Sequence, residues 1–433
     1  MLATTLRRRD FALLWLGGLI SVTGDWVLFI GLPIYVLILS HSVLATSTIL
    51  ISGRIPGLVL GPLAGVFVDR WNRKRILVLG NVLSALALLP LLLVTVDSRI
   101  WIVNVVAFVE ACVEQFFVPA QNALVPSLAS KKQLVAANSL LSLGSNLARL
   151  VGPALGGLVA GLLGLPGMVG VDAASFLLSG LLIALITAGQ VPAGARSESL
   201  GDAWSAFWRE WLDGLRLVRR ERVLGVIFSF EAITSLGEGV FGVLIIVFVN
   251  RVLHGGAEQL GLLMSAQAVG ALLAIPLMGL VGSRLLSARW IGLCTVAFGL
   301  IDLVIFNSPA FIPVFALTVA LFVLVGIPGI ASLTGIQSLT QASTPDTYRG
   351  RVSSSFFTTG ALLGLIGTSL AGALGDHLGV VTVLNIQGVV YVLAGILVIL
   401  ALGGTTTATE RKQAASELTL VADETSSSSL SQG

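Results

Sequence analysis

The stretch FALLWLGGLISVTGDWVLFIGLPIYVLIL, residues 11–39, decides the fold class of this chain. It holds one charged side chain, Asp25, in about 29 residues, and a helix needs about 20 apolar residues to cross a bilayer. Three arginines, Arg7 to Arg9, precede it as in a signal peptide. The apolar core of a signal peptide is only roughly 7–15 residues long, and no small-x-small cleavage site follows here. The stretch therefore predicts a first membrane-spanning helix.

The composition of the whole chain agrees with this prediction. Hydrophobic residues make up 55% of the 433 residues and charged residues 11%, against roughly 25% charged residues in soluble proteins. The net charge of +3 argues against nucleic-acid binding. Cys112 and Cys294 lie apart in apolar runs, so we expect no disulfide, no metal site and no cofactor. The sequence also lacks a G-x-x-x-x-G-K-[ST] phosphate-binding loop, so no ATPase motor is expected.

Apolar runs predict twelve spanning helices in an all-α membrane protein. We expect two pseudo-symmetric six-helix bundles, residues 1–190 and 223–402. Residues 191–222 are predicted to form a linker with an amphipathic helix, and residues 403–433 a disordered cytoplasmic tail. The predicted spans cover roughly residues 11–39, 44–68, 76–96, 100–125, 139–163, 167–190, 223–249, 259–282, 288–306, 310–334, 352–375 and 379–402.

The basic residues predict the orientation of these helices. With the N-terminus inside, 21 of the 25 lysines and arginines fall in inside segments. Only Arg99 and Arg251 fall outside, while Arg54 and Arg149 lie within spans. Because basic residues accumulate in cytoplasmic loops, we expect a multi-pass protein of the cell membrane with both termini in the cytoplasm.

An internal repeat relates the two halves. Shifting the chain by 215 residues aligns residues 144–164 with 359–379, with seven of 21 positions identical, among them Gly164 and Gly379. A duplicated six-helix unit is typical of transporters whose substrate binds between two bundles near the middle of the membrane.

Residues 65–74, GVFVDRWNRK, resemble the G-x-x-x-D-R-x-G-R-K signature of the major facilitator superfamily, with Asn72 at the second glycine. The resemblance implies that Asp69 latches the two halves together in the outward-facing state, by pairing with a basic residue or a helix N-terminus. Alternatively, the charged loop only orients the protein. The residues assigned to the latch are Gly65, Asp69, Arg70, Arg73 and Lys74.

The predicted fifth span is similar to the G-P-x-x-G-G element of the antiporter branch of this superfamily. Small residues let two helices approach closely and a proline bends a helix, so packing and gating roles both stay open. The residues concerned are Gly152, Pro153, Gly156 and Gly157.

Residues 116–140, 171–176 and 344–352 extend the resemblance to macrolide-efflux-type drug:proton antiporters, a subfamily that includes siderophore exporters. Many antiporters of the superfamily carry an arginine in the fourth helix. Here that helix carries Glu110 and Glu114 instead.

Five acidic residues interrupt the predicted spans. A charge at the centre of a bilayer costs roughly 2.5–3.5 kcal/mol, so these groups require water or a partner. Two carboxyl groups on one helix face in low dielectric disfavour simultaneous ionisation, as a proton carrier requires. Pairs four or seven residues apart share such a face. The five residues are Asp25, Glu110, Glu114, Glu231 and Glu238, of which Asp25 is the first candidate for proton coupling and Glu114 and Glu238 follow.

Three other polar residues in the spans complete the candidate cavity. Arg54 and Arg149 are also charged, so an alternative is that some of the acids only neutralise these two arginines. Asn146 lies three residues before Arg149, and both are candidates to hydrogen-bond substrate or to hold the acids.

Together with the resemblance, these residues predict a monomeric secondary transporter that uses a rocking-bundle cycle. We expect it to export amphipathic or cationic small molecules in exchange for protons. A siderophore, metallophore or lysolipid transporter on the same scaffold is the alternative. An intramembrane enzyme is disfavoured because no histidine lies in a span and because Asp172 and Asp302, the other intramembrane aspartates, are expected near helix ends.

Overall fold

The computed structural model describes residues 2–187, 200–281 and 287–403, and this part of the chain is helical without strands. The predicted tail beyond residue 403 and the first part of the predicted linker lie outside the described residues. The helices are α1 Leu2–Leu6, α2 Arg9–Ser40, α3 Val43–Arg70, α4 Arg73–Leu88, α5 Ile100–Leu128, α6 Leu134–Ala184, α7 Leu200–Arg220, α8 Arg222–Arg251, α9 Ala257–Val281, α10 Ala288–Phe311, α11 Phe315–Ser343, α12 Arg349–Leu378 and α13 Val380–Leu402.

Helix α6 supplies two of the twelve spans. Its 51 residues are interrupted at Gly164, whose backbone has φ 60° and ψ −161°. The equivalent glycine of the second half, Gly379, has φ 82° and separates α12 from α13. Because these dihedrals are accessible to glycine and strained for other residues, the same residue type is needed at both sites. The predicted all-α fold with two pseudo-symmetric six-helix halves is confirmed.

The two halves pack tightly at one end of the molecule only. We call the end at which α2 begins and α3 ends the basic end, and the opposite end the far end. Near the far end, apolar residues of both halves form one buried cluster, in which Ile34 and Leu37 of α2 join Val243 and Leu244 of α8. Toward the basic end the halves separate.

Helix α7 lies within the predicted linker and contacts both halves at the basic end, through α3, α8 and α12. Gly214 packs against the backbone of Arg351, and Ser355 Oγ donates a hydrogen bond to the carbonyl oxygen of Trp211 at 2.9 Å. Its aromatic side chains, among them Phe207, pack against one another on one face of the helix.

Candidate functional site

A cavity of about 590 Å³ lies between the two halves. Helices α3 and α5 line one side, α8 and α12 line the other, and α7 contributes a side chain near the basic end. Many of the lining positions are glycines, so backbone atoms form much of the wall. The polar and aromatic lining residues include Arg54, Gln115, Phe207, Ser235, Glu238 and Phe357.

Arg54 bridges the two halves at this cavity. Its Nη1 donates a hydrogen bond to Oγ1 of Thr368 on α12 at 2.9 Å. The charge of Glu238 on α8 acts on the guanidinium, although no ion pair within 4.0 Å joins the two residues in the described part of the chain. Both side chains are exposed in the cavity. Arg54 and Glu238 are therefore available to a bound molecule rather than locked together.

A group of four carboxyl residues lies within the first half. The charges of Asp172, Glu110 and Glu114 all act on the carboxyl group of Asp25, which brings residues of α2, α5 and α6 together. Glu114 is exposed, whereas Asp172 is only 1% exposed. We call Asp25, Glu110, Glu114 and Asp172 the N-terminal cluster.

The N-terminal cluster has few hydrogen-bond donors. Ser175 Oγ lies 3.3 Å from Asp172 Oδ1 and also donates to the Asp172 carbonyl oxygen at 2.8 Å. Asp172 Oδ2 and Glu110 Oε1 are buried without a hydrogen-bond partner among the described residues. No arginine or lysine forms an ion pair with any of the four carboxyl groups in the described ranges. The negative charge of the cluster is thus not compensated by a neighbouring cation.

The expectation that Asp172 lies near a helix end is wrong. Because α6 breaks at Gly164 and continues to Ala184, Asp172 lies inside the second part of the helix. This part packs so closely on α2 that a Cβ at Gly24 would overlap the side chains of Asp172 and Ser175.

A second group of acids lies within the other half. Ser235 Oγ donates to Glu231 Oε1 at 2.8 Å. Asp302 is 2% exposed and lies inside α10, not near its end as expected, since this helix continues to Phe311. We call Glu231, Glu238 and Asp302 the C-terminal cluster.

Two residues of α13 donate hydrogen bonds to the C-terminal cluster. Tyr391 Oη lies 3.4 Å from Glu238 Oε2 and 3.1 Å from the carbonyl oxygen of Thr234. Gln387 Nε2 lies 3.4 Å from Asp302 Oδ2. The sequence analysis did not identify either donor, although Gln387 occupies the position equivalent to Asp172 under the 215-residue shift.

Asn146 and Arg149 do not contact the acids. Asn146 Nδ2 donates to the carbonyl oxygen of Ser142 in its own helix at 2.9 Å, and both side chains are exposed. They share a helix face with Pro153, whose backbone lies against Gly261 of α9. This face points toward the other half, and a role of these residues toward substrate stays a prediction.

The helix-five element packs the two halves together. A Cβ at Gly157 would overlap the backbone of Ala257 on α9, and one at Gly156 would lie 2.7 Å from the carbonyl oxygen of Trp26 on α2. Gly152 packs against the Trp26 ring. The backbone amide of Ala154 donates to Ser265 Oγ of α9 at 3.1 Å. The element therefore has a packing role, and a gating role stays a prediction.

The latch motif lies at the end of α3 and the start of α4. Asp69 is exposed and forms no hydrogen bond or ion pair with the residues that the structure describes. Arg73 Nη1 donates to the Ala123 carbonyl oxygen at 2.9 Å, and Lys74 Nζ to that of Ile186 at 2.7 Å, both within the first half. Asn72 caps α4 by accepting from the Arg75 amide at 3.0 Å.

Twelve spans in two related halves, with a cavity between them, define a transporter of the major facilitator superfamily. A family described as transmembrane secretion effector matches residues 2–425, and the chain belongs to this family. It is therefore a multi-pass membrane transporter and not an enzyme, as the sequence motifs predict.

Three characterised relatives are similar at low identity. The multidrug efflux pump Tap of Mycolicibacterium fortuitum is 27% identical, over 87% of this chain and 91% of Tap. The enterobactin exporter EntS of Citrobacter koseri is 25% identical, over 91% of this chain and 92% of EntS. Macrolide efflux protein A of Streptococcus pyogenes is 25% identical, over 49% of this chain and 52% of its own length.

Solved structures agree with the fold. A bacterial homologue of the iron transporter ferroportin in the inward-facing state superposes with a TM-score of 0.71, at 16% identity, over 91% of this chain and 98% of that chain. A homologue in the outward-facing state gives a TM-score of 0.58, at 18% identity, over 90% of this chain and 99% of that chain.

Proposed function

We propose that this transporter exports amphipathic, cationic small molecules in exchange for protons, by a rocking motion of the two halves. The observation that carries the proposal is the N-terminal cluster, in which three carboxyl groups lie within electrostatic range of Asp25 without a compensating cation among the described residues. Like charges held together in a low-dielectric site cannot all ionise at once. Such a cluster binds and releases protons as its access to water changes.

The cluster offers the proton a route from its exposed carboxyl group to its buried ones. Glu114 is exposed, Asp25 and Glu110 are half-buried, and Asp172 is buried. A proton that enters at Glu114 can pass to the more buried carboxyl groups, which titrate as one coupled unit rather than as separate sites. Movement of the halves then changes which side of the membrane this unit faces.

The lining of the cavity favours a cationic, partly apolar substrate. Glu238 supplies an exposed negative charge, while Phe207 and Phe357 supply aromatic surface. A volume of about 590 Å³ lies in the range of roughly 300–1,000 Å³ that small-molecule sites occupy. Tap and macrolide efflux protein A are named as exporters of drugs, which supports this class of substrate.

The basic end is proposed to face the cytoplasm of a cell-membrane protein that works as a monomer. Arg73, Lys74, Lys131 and Lys132 lie at this end, as the positive-inside rule requires of cytoplasmic loops. Phe207 of α7, a helix that lies at the basic end, lines the cavity, so substrate would enter from the cytoplasm. The proposed functional division is 1–190 and 223–402, joined by 191–222.

Transport by purified protein in liposomes tests the antiport. Ethidium or erythromycin should move against its gradient when a pH gradient is imposed, and Asp25→Asn should abolish this response. Asp97→Asn, which removes an exposed carboxylate at the far end, is the matched control and should transport like wild type. Gradient dependence that survives in Asp25→Asn would exclude Asp25, and wild-type transport that ignores the gradient would exclude antiport.

Siderophore export is the second candidate, because EntS matches over nearly the whole of both chains. Arg54 is the cavity residue that could bind an anionic siderophore. Competition between ethidium and a catecholate siderophore distinguishes the two candidates. If the catecholate inhibits ethidium transport and Arg54→Gln removes this inhibition, siderophore export is favoured.

A further inference from the structure

Four groups from the two halves meet at the far end, outside the carboxyl clusters and the cavity. Asp376, near the end of α12, accepts a hydrogen bond from the backbone amide of Val43 at 3.1 Å through Oδ2. Its Oδ1 pairs with Arg251 Nη1 at 2.8 Å. Arg251 Nη2 donates to the carbonyl oxygen of His41 at 2.9 Å. The ends of α8 and α12 are thereby bonded to the junction between α2 and α3.

These bonds use backbone groups that the helices of the first half leave free. Val43 is the first residue of α3, so its amide has no partner within the helix and lies at the positive end of the helix dipole. Ser42 caps the helix at Ala45 and leaves the Val43 amide to Asp376. A carboxylate from the other half thus completes the start of α3.

Helices α3 and α12 are in contact from the far end only to about their middle. Ser47 packs on Gly372 and Val43 on Gly375, so closely that a Cβ at either glycine would crowd them. Beyond Arg54, which bonds to α12, the two helices line opposite sides of the cavity instead. The pair therefore diverges from a closed far end to an open basic end.

We propose that Asp376 and Arg251 form a far-end lock that holds the transporter inward-facing and must break before the halves part at that end. The proposal rests on the alternating-access cycle proposed above. The first residue of helix α3 contacts Asp376, and Asp69 lies near the last residue of the same helix. Asp69 has no partner in the other half among the described residues. A tilt of α3 about its contact at Arg54 engages one end at a time, so the lock and the Asp69 latch alternate.

Cysteine accessibility in nanodiscs tests the lock, because both faces of the protein are open to the reagent. In a C112S/C294S background, Ser47→Cys reports on the far end, where Ser47 is fully buried, and Leu58→Cys reports on the cavity. Asp376→Asn should raise the maleimide labelling rate at position 47 about tenfold, the shift that about 1.4 kcal/mol produces. Labelling at position 58 should fall at the same time.

Three further variants complete the test. Arg251→Gln should act like Asp376→Asn, and the double variant should add little because both residues belong to one network. Asp376→Glu keeps the carboxylate and should stay near the wild-type rate. Asp97→Asn removes a far-end carboxylate that has no cross-half bond among the described residues and should change neither position.

Each outcome decides the proposal. Faster labelling at position 47 without slower labelling at position 58 would mean local loosening and would overturn the lock, as would no change at position 47. If the Asp376→Asn variant does not fold, the labelling rates of the Arg251→Gln variant alone decide whether the lock exists. The assay uses neither substrate nor a pH gradient, so loss of proton coupling would leave its result intact, and loss of the lock would not contradict antiport.

Discussion

The N-terminal and C-terminal clusters occupy related places in the two halves, but their partners differ. Asp25 and Glu238 are 213 residues apart, and Asp172 and Gln387 are 215 apart, close to the repeat. In the second half, side-chain donors reach the acids, and Arg54 lies within electrostatic range of Glu238. In the first half, two buried carboxylate oxygens lack a partner among the described residues.

This difference indicates a division of work within a duplicated architecture. Carboxyl groups that already accept hydrogen bonds are held in position by their donors, which suits substrate binding and structure. Carboxyl groups without such partners change their protonation readily as water reaches them. We infer that protons use the first half and that substrate charge is recognised by the second.

Asp172→Asn should separate the behaviour of the two clusters most strongly. It removes the most buried carboxyl group of the N-terminal cluster and is expected to lower gradient-driven efflux about a hundredfold, as loss of a proton-transfer group typically does. The matched change in the other half is Asp302→Asn, whose amide can still accept from Gln387, and it should lower efflux less than about threefold. Equal losses in the two variants would refute the division.

Gly164→Ala and Gly379→Ala test the symmetry of the backbone. Both glycines have positive φ, so alanine at either site should cost about 2 kcal/mol and lower the melting temperature by similar amounts. Gly170→Ala is the control, because a Cβ there meets nothing within 4 Å. A melting temperature unchanged in one variant would show that the two breaks are not equivalent.

Of these three tests of the two halves, Glu238→Gln should have the smallest effect. It removes the exposed negative charge of the cavity, and tetraphenylphosphonium should bind about tenfold more weakly, as loss of one charge-assisted contact predicts. Coupling to the pH gradient should persist. Glu231→Gln, at a carboxyl group that Ser235 already engages, should leave the affinity within about threefold. Loss of coupling in Glu238→Gln would move proton transfer into the second half.

The fold was predictable because a spanning helix is a local property of the sequence. Twenty apolar residues are enough to identify one, and the repeat made Gly164 and Gly379 equivalent, although it did not show that both end a helix. The latch and helix-five motifs were likewise found as short local patterns. Their partners, such as Ala257 for Gly157, were not, because a motif does not state which helix it faces.

The candidate site was predictable only in part, since it depends on which helix faces meet. Asp172 and Asp302 were set aside because helix ends are uncertain by several residues. Helix α10 extends further than expected, and the second part of α6 begins directly after Gly164. The contact of Arg54 with Thr368 joins residues 314 positions apart and has no local signal. Asn146 and Arg149 shared a plausible spacing, yet the structure directs them away from the acids.

The contact between α6 and α9 is made largely from main-chain atoms, with Pro153, Gly157 and Gly261 presenting almost no protruding side chain. Two such surfaces can slide or separate without withdrawing interdigitated side chains, and no side-chain rotamer has to change first. The close approach of the two backbones supplies the dispersion energy of this contact. Glycine thus gives the two helices close contact without interlocking side chains.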